Sequence, residues 1–111
     1  MIRRPARRAV QAAAAAALAG CAGAAPRPAR HEIRIDAFVY KPASQAVRPG
    51  DTLVFVNHDA VPHTATANDA SWDTGEILAS ATDTVVVPAG GSGEYRCAYH
   101  PNMKAALTQA R

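Results

Sequence analysis

From Glu32 onward, apolar and polar residues alternate with a period near two. Ile33, Ile35 and Ala37 fall on one side and Arg34 and Asp36 on the other, as in a strand with one buried face. Phe38-Val39-Tyr40 extends that run as far as Lys41-Pro42. Similar short runs predict strands at Gln45–Arg48, Asp51–Asn57, His63–Asn68, Thr82–Val87, Glu94–Ala98 and Lys104–Gln109. Pro49-Gly50 and the stretch from Pro88 to Gly93 supply the turn chemistry between them. The stretch from Asn68 to Ala81, with Trp72 and Thr74-Gly75, is the least regular. Helical periodicity is missing past residue 31, and seven strands in about 80 residues predict an all-β antiparallel sandwich or barrel.

The first 31 residues follow another rule. Residues 2–8 carry four arginines and no acid, and the AVQAAAAAALAG behind them has no charge. A basic head before a short apolar run is the layout of a secretory signal peptide. A helix of the fold suits the alanines but would offer no face for packing. The run is also shorter than the roughly 20 apolar residues of a membrane helix. Leu18-Ala19-Gly20-Cys21 resembles the lipobox of bacterial lipoproteins, which implies cleavage before Cys21 and acylation of that cysteine. Ala22 is not the acidic residue of an inner-membrane retention signal, and Ala22-Gly23-Ala24 also fits ordinary cleavage after Ala24 or Ala25. Residues 22–31, AGAAPRPARH, form an Ala/Pro spacer. The expected organisation is a signal peptide over 1–20, a lipidated or flexible tether over 21–31 and one domain over 32–111. The expected location is periplasmic or extracytoplasmic, at a membrane if Cys21 carries lipid.

Removal of that segment changes the charge. The formal charge of +3 owes four positive charges to Arg3, Arg4, Arg7 and Arg8; beyond Cys21, eight basic residues face nine acidic ones. A near-neutral domain has no basic patch for phosphates and no aromatic-plus-Arg cluster for stacking on bases, which argues against nucleic acid as a partner.

A domain this small often needs a staple such as a disulfide or a metal. With Cys21 acylated or lost, Cys97 stands alone in an oxidising compartment. It could be a small buried hydrophobe, a nucleophile activated by a histidine, or a thiolate metal ligand. Cys97-Ala98-Tyr99-His100-Pro101-Asn102-Met103 presents a thiolate, an imidazole and a thioether at spacings of three and three, and Pro101 prevents a helical stripe. His63 opens another strand, and antiparallel pairing of that strand with the one ending at Cys97 places His63 beside the thiol. Two imidazoles and a thiolate, with a thioether at longer range, make the ligand set of a blue copper electron-transfer centre. Taken singly, each histidine is more often a surface or core residue than a ligand, and Met103 could be a gap-filler; taken together with Cys97 they favour one site. His58 is an alternative to His63, and His31 belongs to the tether.

At these residues the sequence resembles the cupredoxins, nearest to the amicyanin, pseudoazurin and plastocyanin-like branch, over roughly residues 32–109. The resemblance is carried in order by Phe38-Val39-Tyr40-Lys41-Pro42, Val47 to Asn57, Val61-Pro62-His63-Thr64, Trp72-Asp73-Thr74-Gly75 and Tyr95 to Met103. It implies a Greek-key β-sandwich with one type 1 copper on His63, Cys97, His100 and Met103 near one end, and an edge of His100 close to solvent. Thr64 stands where many relatives have an Asn bonding across to the Cys-bearing loop. Gly93 stands where an inward aromatic is usual, which implies a less well-packed core. Lys104-Ala105 follows Met103 where a Gly is common.

The function implied is one-electron transfer between redox partners such as a cytochrome, an oxidase or a dehydrogenase, by a monomer that is not an enzyme. Copper delivery or buffering for an oxidase or a resistance system is the alternative; exposed Met-rich sites would favour it, and Met103 is the one Met past the start. A Cys-His hydrolase or transferase would need an oxyanion pocket and an orienting group, for which no motif is visible. A two-copper centre would need a second thiolate in the loop, where Tyr99 stands instead.

Overall fold

The computed structural model describes residues 27–90 and 93–110; the signal-peptide segment, Cys21 and the first half of the spacer lie outside them. The described residues form eight strands: β1 (Arg30–Asp36), β2 (Val39–Lys41), β3 (Ser44–Val47), β4 (Thr52–Asn57), β5 (Thr66–Ala67), β6 (Thr82–Val86), β7 (Glu94–Arg96) and β8 (Lys104–Gln109). They form two four-stranded sheets, ordered β2-β1-β4-β6 and β3-β8-β7-β5. This is the expected all-β sandwich, with Greek-key crossings between the sheets. It is not purely antiparallel, because β1–β4 and β3–β8 pair in parallel. Parallel neighbours need a crossover, and here the chain leaves one sheet after β2, runs β3 in the other and returns as β4.

The period-two pattern explains the core. Ile33 and Ile35 of β1 and Leu53 and Phe55 of β4 are fully buried, while their alternate neighbours face outward. The opposite sheet contributes Tyr95, Ala105 and Leu107. Trp72, from the irregular stretch, stacks on Phe55 with ring centroids 6.2 Å apart and lies 5.2 Å from Tyr95; Tyr95 in turn meets Tyr40 edge-on at 4.8 Å. Burying a large apolar side chain contributes roughly 1.5–3 kcal/mol, and aromatic pairs in such geometries add about 0.5–1.5 kcal/mol.

Tyr95 also explains Gly93. A Cβ at position 93 would sit 2.7 Å from the Leu107 carbonyl oxygen, and the Leu107 N–H donates to Gly93 O across 2.6 Å. A side chain is excluded there by the close approach of two backbones, and Tyr95 fills the interior two residues later. The core is therefore aromatic-rich at this end. Lys104 needs no glycine behind Met103, since it pairs with Arg96 in regular antiparallel register.

Two of the departures from the sequence pattern lie in β1 and β2. The run from Ile33 to Tyr40 is a hairpin, with Asp36 paired to Val39 across a turn at Ala37 and Phe38. Strand β1 also takes in Arg30 and His31, which composition assigns to the tether. What holds them is Asp51: its carboxylate accepts from Ala29 N at 2.9 Å, from Arg48 N at 3.0 Å and from His31 Nε2 at 2.8 Å. These bonds, from Ala29, His31 and Arg48 in that order, hold the Asp51 carboxyl at about 2, below its ordinary 3.8. A depressed carboxyl contributes stability that is fully present above its unfolded value and lost as pH falls through the folded one. Asp51→Ala is thus expected to unfold at lower denaturant than wild type at neutral pH, with the gap closing between about pH 4 and pH 2. Denaturation midpoints measured across that range check this; a gap independent of pH would contradict it.

Candidate metal centre

The register that builds one edge of the second sheet also builds the site. Strands β5 and β7 pair antiparallel as Thr66↔Arg96 and Ala67↔Tyr95. Extending that pairing by one residue sets Ala65 against Cys97, with Thr64 and His63 just beyond. His63 itself lies outside regular strand, held by a bridge to Ile77 through two backbone hydrogen bonds of 3.1 and 2.7 Å. Its Nδ1 is 3.8 Å from Cys97 Sγ. His100 Nδ1 lies 3.6 Å from the same sulfur. The three ligand atoms lie within 4.8 Å of one another; His63 and Cys97 are fully buried and His100 is half-buried. His58 is exposed and stands apart from this group.

The separations suit one ion. An imidazole nitrogen about 2.0 Å and a thiolate about 2.3 Å from a first-row metal, at a trigonal angle, are about 3.7 Å apart. The observed 3.8 and 3.6 Å match that spacing without movement. The tautomer of His63 fits too. Its Nε2 bonds the Asp59 carboxylate at 2.8 Å, which places a proton on Nε2 and leaves the Nδ1 lone pair free toward Cys97. Two imidazole nitrogens converging on one cysteine sulfur form a donor set that fits copper.

The thiolate position is fixed from three sides. Thr64 N donates to Cys97 Sγ at 3.3 Å. Cys97 N donates to Met103 O at 3.1 Å, and Met103 N to His100 O at 2.8 Å, closing the loop on itself. Ala98 N donates to Thr64 Oγ1 at 2.8 Å, so the threonine hydroxyl bonds across to the Cys-bearing loop, the part that an Asn plays in many relatives by the resemblance above. That hydroxyl also pairs with Thr66 Oγ1 at 2.9 Å, which donates to Asp73 at 3.0 Å. Tyr40, whose hydroxyl donates to Thr64 O, is pushed far above its ordinary pKa by burial and then by Cys97 and Tyr95. It stays a neutral donor.

Met103 is buried at the end of the loop and shares with His100 the lining of an open cleft of about 440 Å³, together with Phe38, Tyr99, Pro101 and Asn102. Phe38 meets both imidazoles edge-on, at 5.0 Å from the ring of His63 and 4.9 Å from that of His100.

Two residues that sequence reading passed over organise the His63 side. Asn57 is fully buried; its amide donates to the carbonyls of Val61, Ile77 and Leu78 at 2.9, 3.0 and 3.2 Å, and its Oδ1 accepts from Asp59 N at 2.9 Å. Asp59 then accepts from Ala37 N at 2.7 Å, Phe38 N at 2.9 Å and His63 Nε2 at 2.8 Å. Burial pushes its carboxyl up, but the bonds from Phe38, His63 and Ala37 outweigh this and leave it below the ordinary carboxylate value. Ala37 and Phe38 have φ of 54° and 63°, a conformation costing roughly 1–2 kcal/mol per non-glycine residue; the carboxylate holds it. The signal was present in the sequence: Asn57 falls in the inward register of Leu53 and Phe55, and a polar residue there needs partners.

No protein-family model matches the sequence, and no curated protein does. Solved structures do. An amicyanin variant in its oxidised state superposes with a TM-score of 0.63 at 19% identity, covering 72% of this chain and 81% of that one. Another oxidised amicyanin variant gives 0.64 at 21%, over 73% and 82%. A purple cupredoxin from Nitrosopumilus maritimus gives 0.62 at 21%, over 72% of this chain and 99% of its own. The chain therefore has the cupredoxin fold, with His63, Cys97 and His100 gathered at one end of its sandwich into a single donor set.

Proposed function

We propose that this protein is a one-electron carrier built on a single type 1 copper, held by His63, Cys97 and His100 with Met103 as a weak axial ligand. The observation that carries this reading is the convergence of two imidazole Nδ1 atoms on one buried thiol at 3.8 and 3.6 Å. When bound, copper supplies a Cu(II)/Cu(I) couple, and this ligand set suits both states. The protein's part is to hold the ligands still. Hydrogen bonds from Thr64 N and Ala98 N brace the thiolate loop, Asp59 fixes the His63 ring, and the loop from Cys97 to Met103 closes through its own backbone. A carrier benefits from that rigidity, whereas a donor needs a ligand that lets go.

His100 is the half-buried ligand and supports the reading of an electron entry point. Beside it in the cleft lie Phe38, Tyr99 and Pro101, all three exposed and without charge. An uncharged patch of this kind suits brief docking of a redox protein, a cytochrome, an oxidase or a dehydrogenase, by a monomeric carrier that transforms no substrate. The direct test is addition of Cu(II) to the purified protein: an intense visible band is expected, and a colourless, weakly held complex would overturn the proposal.

Location is part of the same reading: export through the N-terminal signal and anchoring by a lipid on Cys21. A near-neutral domain has little charge attraction to a membrane surface, so lipid on Cys21 is what would hold it there. Cys21→Ala is expected to move the protein from the membrane fraction to the soluble fraction; retention of the variant in the membrane would rule out the lipid anchor.

A further inference from the structure

The turn between β1 and β2 carries a feature that ligand holding does not explain. Phe38 is an apolar residue 46% exposed, it has a left-handed backbone, and it follows another left-handed residue, Ala37. Strain persists where the surroundings impose it, and it marks places where position matters. Here both backbone N–H groups of the turn are held by one carboxylate, that of Asp59, which also holds the His63 ring.

The cleft beside His100 shows what the ring does. Phe38, His100 and Met103 line it, while His63 does not and is fully buried. The Phe38 ring, part of the cleft lining, also touches the buried His63 ring and lies edge-on to both imidazoles at interplanar angles of 85° and 86°. Removing it would extend an open cleft to the imidazole that is otherwise shut away.

We propose that Phe38 is the specificity-determining residue that bars small anions from the His63 side of the metal site, and that Asp59 positions it by clamping the Ala37-Phe38 turn. This rests on the copper reading above. The ring leaves the outer edge of His100 open to a partner protein while closing the inner route to a coordinating anion, so electrons pass and ligands do not.

The test uses azide as the anion and the Cu(II)-loaded protein, with the visible spectrum as readout. Phe38→Ala should bind azide at least about tenfold more tightly than wild type, and Phe38→Tyr, which keeps a ring, should behave as wild type. Equal azide affinity in wild type and Phe38→Ala, with the visible band intact in both, overturns the proposal and leaves the copper reading standing. A wild-type protein without the visible band overturns the copper reading and this inference together. The role of Asp59 is read without metal: in Asp59→Ala the amide hydrogens of Ala37 and Phe38 should exchange much faster than in wild type, while those of β8 keep their protection. Unchanged exchange at Ala37 and Phe38 would remove Asp59 from the mechanism.

Discussion

Cys97→Ser is expected to remove the intense visible absorption of the Cu(II)-loaded protein and to weaken copper binding more than any other single change at the site. Serine has nearly the shape of cysteine, so the fold should survive in a side chain that is fully buried. What disappears is the soft, anionic sulfur, the ligand that selects copper and provides the covalent bond to it. The neighbouring donors remain: His63 and His100 still present their Nδ1 atoms, and Thr64 N, which bonds the sulfur at 3.3 Å, can bond the new hydroxyl. A residual, pale, two-histidine complex is the expected product. Absorption spectra of wild type and variant at equal copper loading check this, with far-ultraviolet circular dichroism confirming an intact sandwich. Unchanged colour in the variant would mean that Cys97 is not a ligand.

Replacement of Met103 should move the reduction potential in opposite directions. An axial donor stabilises the two oxidation states unequally. Leucine offers no donor and favours Cu(I), so Met103→Leu is expected to raise the potential; glutamine offers a carbonyl oxygen that favours Cu(II), so Met103→Gln is expected to lower it. For a one-electron couple, a tenfold change in relative hold appears as about 59 mV, which voltammetry resolves easily. Met103 is buried, and its backbone closes the loop onto Cys97 and His100 in a way that does not depend on its side chain. The variants therefore probe the thioether rather than the loop. The reverse order of potentials would show that Met103 is not the axial ligand.

Much of this architecture was legible because period-two alternation reports burial directly. Strand β8 has the limits that the pattern predicts, and β4 and β6 differ from it by a single residue at one end. The proximity of His63, Cys97 and His100 was legible because antiparallel pairing of two short segments carries one register into the next. The bond from Thr64 across to Ala98 was legible from the residue's type and place.

Other features depend on partners distant in sequence. The Ala37-Phe38 turn lacks the glycine or asparagine that announces a left-handed turn, because its stabilising acceptor is Asp59, 22 residues from Ala37. His31 reads as tether until Asp51, 20 residues on, supplies the acceptor that draws it into β1. Gly93 reads as a missing aromatic until the Leu107 carbonyl shows that no side chain fits there. The run from His63 to Asn68 reads as one strand, but only Thr66 and Ala67 pair with β7, since His63 turns to Ile77 instead.

The central claim, that the site moves electrons rather than copper, is tested most directly by measuring two rates on one sample: electron self-exchange and loss of Cu(I) to a chelator. The bracing of Cys97 and His63 predicts slow loss of Cu(I), and the exposed Phe38, Tyr99 and Pro101 beside His100 predict fast exchange. Self-exchange brings two like patches together, so Pro101→Glu and Ala98→Glu, both at exposed positions, should slow it by an order of magnitude or so through like-charge repulsion, without altering the visible spectrum. Cu(I) leaving the reduced protein faster than electrons exchange, with the two glutamate variants exchanging as fast as wild type, would contradict the account and assign the protein to copper delivery.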